Sequence, residues 1–245
     1  MIGALIIGDE ILSGKRQDKH FPKIVDFLKA RGLGLSWSMN LPDDAEILTQ
    51  VLRSTFARKD IVFSFGGIGA TPDDHTRQCA ANAAGVPLQL HPGARREIEA
   101  RFGAEINAQR LEMGVFPVGS RIIPNPFNRI PGFSYRRHHF LPGFPEMAWP
   151  MMEWVLDNEY TQLHRKDPPV DRAIIVRGAG ESQLIDLMNA CIARYPALKL
   201  FSLPSVSPDR RIELGVKGET KLAGEALTFL QKGVDALGFA WVPRD

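Results

Sequence analysis

Asp60-Ile61-Val62-Phe63-Ser64-Phe65 runs without a break into Gly66-Gly67-Ile68-Gly69-Ala70-Thr71-Pro72-Asp73-Asp74-His75-Thr76, and no other segment says as much about the architecture. The first half is short, β-rich and almost continuously apolar, the pattern of a strand covered on both faces in a parallel sheet. A loop follows, and Thr76 to Ala84 then reads as a helix closed at Gly85. Strand, glycine loop and helix in that order belong to an open α/β sheet, whose ligands bind beyond the carboxyl ends of its strands. Glycines there let the backbone approach an anion, and the next helix offers unpaired N–H groups, so Gly66, Gly67, Gly69, Thr71 and Thr76 are candidate phosphate-binding residues. Asp73 and Asp74 oppose a phosphate unless a cation intervenes. Magnesium resolves the conflict by bridging oxygen ligands on both sides, which makes these two aspartates candidate metal ligands. A plainer reading stands beside this one, in which the glycines form a turn and Asp74 caps the helix.

Working outward, Ala4–Ile7 reads as a first strand, and Gly8, Asp9 and Glu10 follow it in the same topological position as the glycine loop. From Asp18, an expected N-cap, Phe21, Ile24, Val25 and Leu28 give one helical face that stops at Gly32 and Gly34. Residues 35–39 read as a second strand. Pro42-Asp43-Asp44 then opens a helix with Ile47, Leu48, Val51 and Leu52 on one side; Asp43 and Asp44 stand where either a cap or a metal ligand belongs. Residues 92–107 read as another helix, with a short continuation to Met113. Residues 115–150, rich in Gly and Pro, are expected to hold short strands and loops, among them a strand over 135–141. Leu141-Pro142-Gly143-Phe144-Pro145-Glu146-Met147 is a rigid turn ahead of a helix from Pro145 to Leu156. The alternation predicts an α/β sheet with helices on its faces. His164-Arg165-Lys166-Asp167-Pro168-Pro169 reads as a linker, which puts an α/β domain at 1–166 and a small one at 167–245. Strands at 173–176, 198–202 and 211–217 with helices at 182–195 and 220–237 predict an α+β sandwich of ferredoxin-like type, four-stranded if 239–242 also pairs.

Composition narrows the classes. Apolar residues make up 44% and charged residues 24%, as in ordinary globular proteins, and no apolar run reaches the length of a membrane span. Met1 leads straight into Ala4–Ile7 and then acidic residues, without the basic start and long apolar core of a secretion signal, so a cytoplasmic location is expected. The formal charge of +2, with basic residues scattered apart from Arg136-Arg137 and Arg210-Arg211, gives no nucleic-acid footprint. Cys79 and Cys191 read as reduced structural thiols. His138 and His139 are adjacent, so on a strand they point to opposite faces and do not readily share a metal. Ser182 lacks a nucleophile elbow and reads as a helix cap. Trp149 and Trp154 read as packing residues between domains or subunits.

Four segments together resemble the molybdopterin-binding domain superfamily and, within it, the N-terminal part of CinA-type proteins: residues 8–14, 42–44, 66–76 and 141–147, in the family's order over residues 1 to about 155. The stretch opening at Gly178-Ala179-Gly180-Glu181-Ser182 is similar to the α+β domain that follows in CinA-type proteins. The resemblance implies a three-layer α/β/α domain with its ligand across the glycine loop. Molybdopterin or a nucleotide is the implied ligand, Asp43 and Asp74 the implied catalytic positions, and Gly143, Pro145 and Glu146 part of the ligand surround. Adenylylation of molybdopterin or metal insertion is the chemistry of one branch; metal-dependent hydrolysis of the ADP-ribose pyrophosphate is that of the CinA branch. A non-catalytic binding module is a third reading. The resemblance also implies a homo-oligomer, a dimer first, with Trp149, Met151, Met152 and Trp154 as contact surface. CinA-type proteins carry Thr-Asn where Lys19-His20 stands, and Gly-Thr-Ala-Pro-Gly where Asn128-Arg129-Ile130-Pro131-Gly132 stands. Their further deamidase domain has no counterpart in these 245 residues, so deamidase activity is not expected.

Overall fold

In a computed structural model of the chain, residues 1–205 and 211–244 are described, so Arg210 of the second basic pair lies outside the described residues. The chain divides into two units, 1–164 and 165–245. The first contains, in order, β1 (Ile2–Ile7), α1 (Asp9–Leu12), α2 (His20–Ala30), β2 (Trp37–Leu41), α3 (Ala45–Phe56), β3 (Ile61–Phe65), α4 (Thr76–Ala84), β4 (Leu88–Leu90), α5 (Pro92–Phe102), α6 (Ala108–Glu112), β5 (Val115–Pro117), β6 (Arg121–Ile123), β7 (Gly132–Tyr135), β8 (His138–Leu141) and α7 (Pro145–Glu159).

Six strands form one sheet in the order β2-β1-β3-β8-β7-β6. The first four are parallel, and β7 and β6 extend the sheet antiparallel. Every residue of β3 is buried, because helices cover both faces. The period of two is visible in it: Ile61, Phe63 and Phe65 join the core beneath α2 and α7, whereas Val62 joins the core beneath α3, α4 and α5. The result is the expected three-layer α/β/α unit. Strands β4 and β5 pair separately.

Several expectations shift in detail. The buried stripe of α2 is His20, Ile24, Phe27 and Leu28, while Phe21 and Val25 are 45% and 39% exposed. Counting apolar side chains alone had put Phe21 where the fold puts a histidine. The second strand lies two residues later than 35–39. The expected strand over 135–141 is a hairpin instead, turned by Arg136 at φ 53° between β7 and β8. Met151 and Met152 are fully buried in the core, and the partly buried Trp149 packs against that core, so these three do not offer the open contact surface expected of them. Trp154 is 36% exposed. Cys79 and Cys191 are buried and in no disulfide.

The second unit runs β9 (Val170–Arg177), α8 (Glu181–Arg194), β10 (Lys199–Pro204), β11 (Arg211–Gly218), α9 (Thr220–Ala236) and β12 (Ala240–Pro243). Its strands are ordered β10-β11-β9-β12, all antiparallel, the ferredoxin-like arrangement with the fourth strand paired. Leu184 and Cys191 of α8 and Ala223, Ala226, Leu230 and Val234 of α9 share its core with Ile174, Val176 and Leu214. Ser182 lies inside α8 and does not cap it; Gly180 is the N-cap, and its N–H donates to Gln183 Oε1 at 2.8 Å. No helix among the described residues is long and apolar enough to cross a membrane.

Candidate functional site

Because β2, β1, β3 and β8 are parallel, the loops that follow them all leave the same edge of the sheet. Those loops carry Asp43, Gly8 to Glu10, Gly66 to Thr76 and Gly143, so topology alone gathers the four motifs. Backbone bonds lace them together: Gly8 N–H donates to Leu41 O at 3.0 Å, and Gly66 N–H to Leu141 O at 3.0 Å. Gly66 has φ 105°, and a Cβ there would lie 2.4 Å from Ile7 O; Gly67 has φ 67°, and a Cβ would lie 2.3 Å from Thr76 Oγ1. Both positions therefore require glycine for the backbone path itself. Thr76, fully buried, holds the turn from below, its Oγ1 donating to Gly66 O at 3.1 Å and its N–H to Gly67 O at 3.0 Å.

The carboxylates divide by task. Asp44 caps α3, accepting from Ile47 N–H at 2.8 Å. Asp74 does not cap α4, whose first residue is Thr76; its Oδ2 accepts from Thr71 N–H at 2.9 Å and from Thr71 Oγ1 at 2.5 Å. It latches the loop to itself. Asp73 is exposed, and the nearby Thr71 side chain first, then the backbone N–H of Asp73 itself, hold it below the usual carboxylate range. Asp43 Oδ2 accepts from Asp9 N–H at 3.0 Å, and Asp9 Oδ1 accepts in return from Asp43 N–H at 3.4 Å. Burial first, and then the charges of Asp9, Glu10 and Asp73, raise the Asp43 carboxyl above its ordinary value against the opposing pull of the Asp9 N–H. Four carboxylates thus share one field. Among the described residues no three His, Cys, Asp or Glu side chains converge closely enough to hold a metal by themselves. Pro145 and Glu146 stand in the first turn of α7, after Gly143.

Two site residues escaped the sequence reading. Arg77 is 6% exposed and braces the loop from behind: Nη2 donates to Gly69 O at 2.7 Å, while Nη1 donates to Val115 O at 3.3 Å and to Glu112 O. An arginine in the first turn of a helix counts as a solvent-facing residue in any amphipathic pattern, which hid it. His20, 5% exposed, meets Gly143 O through Nε2 at 3.0 Å and stacks on Phe65 with ring centroids 4.5 Å apart. Its difference from Thr-Asn was the available signal.

A cavity of about 460 Å³ lies elsewhere in the first unit, lined by Glu97, Pro124, Asn125, Pro126, Arg129, Pro150 and Trp154, and it includes none of the motif residues. The geometry of the loops marks the sheet edge as the candidate site; an apolar concavity does not outweigh it. The 128–132 segment reaches the far end of the fourth motif, Asn128 Nδ2 donating to Met147 Sδ at 3.2 Å, while Arg129 pairs with Glu97 at 3.0 Å. His138 and His139 point to opposite faces as expected: Nε2 of the first meets Thr55 Oγ1 at 2.9 Å, and the second sits between Ser134 Oγ and Tyr160 OH, each at 2.8 Å.

The family described as "Probable molybdopterin binding domain" matches residues 3–162. The chain belongs to that family. Among relatives of this molybdopterin-binding domain, a CinA-like protein of Citrifermentans bemidjiense is 37% identical over 163 residues, 63% of this chain and 39% of its own length. A CinA-like protein of a Geobacter species (strain M21) is 32% identical over 209 residues, 81% of this chain and 50% of its own. The chain therefore spans half or less of these two relatives. A protein of Pyrobaculum arsenaticum is 27% identical over 209 residues, 81% of this chain and 77% of its own. Among solved structures, a CinA protein of unknown function from Thermoplasma acidophilum superposes with a TM-score of 0.58 at 27% identity, covering 64% of this chain and 97% of that one.

Proposed function

We propose that the first unit binds a phosphate-bearing pterin or nucleotide, of the molybdopterin or ADP-ribose class, across the loop from Gly66 to Thr76, together with a divalent cation, magnesium. The observation that carries this reading is the crowding of Asp9, Glu10 and Asp73 around Asp43, which adds to burial in raising the Asp43 carboxyl at the same sheet edge as the glycine loop, where Gly67 and Gly69 are half-buried. A phosphate alone would add to that repulsion, whereas a cation between carboxylates and phosphate removes it. Since no cluster of three His, Cys, Asp or Glu side chains among the described residues could hold a metal, the ligand's own oxygens would complete the coordination, with Asp73 and Asp74 contributing from the glycine loop. The reading includes a cytoplasmic location and a homodimer, for which Trp154 is the remaining exposed aromatic of the expected surface.

The raised carboxyl favours a second step. A carboxylate with a raised pKa suits general base work, so Asp43 would take the proton from a water that attacks one phosphorus of a dinucleotide pyrophosphate. The P–O–P bridge would break, and ADP-ribose would give AMP and ribose 5-phosphate.

Calorimetric titration of ADP-ribose, AMP and molybdopterin, with and without magnesium chloride, tests both. Tight binding that needs magnesium is expected, with a loss of about tenfold or more in Asp74→Asn. The asparagine oxygen still accepts from Thr71 N–H but carries no charge, so the melting temperature stays near wild type. Equal affinity in the two proteins, indifferent to magnesium, would reduce Asp74 to a loop latch and remove the cation from the reading. AMP release under the same conditions separates an enzyme from a binding module.

A further inference from the structure

We infer that His20 is a positioning residue of this site: its Nε2–H seats the turn at residues 141–145 against Gly66, and the shape of the ligand edge depends on that bond. The inference rests on the proposed location of the ligand. Gly143 O can only accept, so the ring nitrogen facing it at 3.0 Å carries the proton. The same ring stacks on Phe65, the residue that enters the glycine loop, with planes 27° apart. It therefore touches the loop on one side by its face and the neighbouring turn on the other by its N–H. That turn is in direct contact with the loop: a Cβ on Gly143 would lie 3.5 Å from Gly66 Cα, and Gly66 N–H donates to Leu141 O.

The choice of residue supports a task beyond filling space. His20 Nδ1 is buried without a hydrogen-bond partner, an arrangement that costs stability. A phenylalanine would stack on Phe65 equally well and bury no orphan nitrogen. What it would lack is the donor to Gly143, so that bond is what the imidazole contributes. Burial also lowers the pKa of the ring, against the pull of Gly143 O and Asp18, which keeps it neutral with its proton on Nε2.

His20→Phe keeps the ring and removes the donor; His20→Gln keeps an N–H of similar reach and removes the ring. Without any ligand, amide hydrogen exchange at Gly66 is expected to accelerate about five- to tenfold in His20→Phe and to stay near wild type in His20→Gln, the size set by one hydrogen bond. ADP-ribose with magnesium should lose affinity in the same order. The opposite ranking, with His20→Phe unaffected and His20→Gln impaired, would make the ring a packing element and overturn the inference. If wild type fails to bind ADP-ribose, the functional proposal falls while the exchange measurement still judges His20. Nitrogen-15 spectra of the wild-type ring give a check that needs no variant: a neutral ring protonated on Nε2 is expected, and one protonated on Nδ1 would also overturn it.

Discussion

Strand β8 begins in two histidines and ends in the turn that carries Gly143, and its two ends treat polar groups in opposite ways. At the start, His138 and His139 are 1% and 0% exposed and bonded to Thr55, Ser134 and Tyr160. Beyond the other end, at the shared sheet edge, carboxylates stand partly or fully open and crowd one another. Both ends perturb titration. Burial first, then neighbouring positive groups, push each histidine down to about 3, further than anything at the sheet edge. A displaced pKa alone therefore does not mark a site. What distinguishes the sheet edge is charge left unbalanced within reach of solvent, where a ligand and cation can balance it.

The comparison breaks most readily at its structural end. His139→Ala would leave Ser134 Oγ and Tyr160 OH without their partner and open a cavity beside Phe63, whose ring centroid lies 5.1 Å from that of the imidazole. A loss of about 3–5 kcal/mol is expected from the cavity and the orphaned groups together. Urea denaturation should show it as a lower midpoint. Affinity for ADP-ribose in the folded protein should not change, and a large loss of affinity would mean that the two ends of β8 are not separate.

A smaller effect follows from the same pair. The unfolded chain binds a proton on each histidine below about 6.5, whereas the folded protein does not until about 3. The unfolded state thus holds more protons in that window, so stability is complete above pH 6.5 and falls as pH drops, by about 1 kcal/mol per pH unit for each histidine. Denaturant series between pH 7.5 and 5 should give that slope with a further contribution of the same sign from His20, whose pKa burial also lowers, and His138→Phe should remove the share of one histidine. A flat profile over this range would mean that the histidines ionise inside the fold.

Much of this was legible in the residues. The apolar run at 61–65, the glycines behind it and the aspartate that opens α3 fixed the sheet edge, because each follows a local rule of strand burial, turn conformation or capping. His20 and Arg77 were not legible, since their roles come from partners 123 and 8 residues away, on which no local periodicity bears. The hairpin at Arg136 was missed for a related reason. A turn made by a non-glycine residue at positive φ carries no compositional flag.

The smallest expected change, and the sharpest test of the sheet edge, is Asp43→Asn. The asparagine oxygen keeps the acceptor for Asp9 N–H at 3.0 Å, and the substitution removes one of four crowded charges. Because the folded protein raises the Asp43 pKa, it binds that proton more readily than the unfolded chain does. The charge therefore costs stability once pH rises above the unfolded value and costs nothing well below it. Asp43 is half-buried, and without magnesium at pH 7 the variant should be slightly more stable than wild type, by no more than about 0.5 kcal/mol. The difference should vanish on acidification below about 4, the ordinary aspartate value. Adding magnesium chloride together with ADP-ribose should reverse the ranking, because a ligand and cation that bind only the folded state raise its stability, and wild type retains the carboxylate whose charge the cation balances. A variant that melts lower than wild type, with magnesium and ADP-ribose affecting neither, would show that the bond to Asp9 outweighs the repulsion. The sheet edge would then be as balanced as the histidine end, and the contrast between them would be gone.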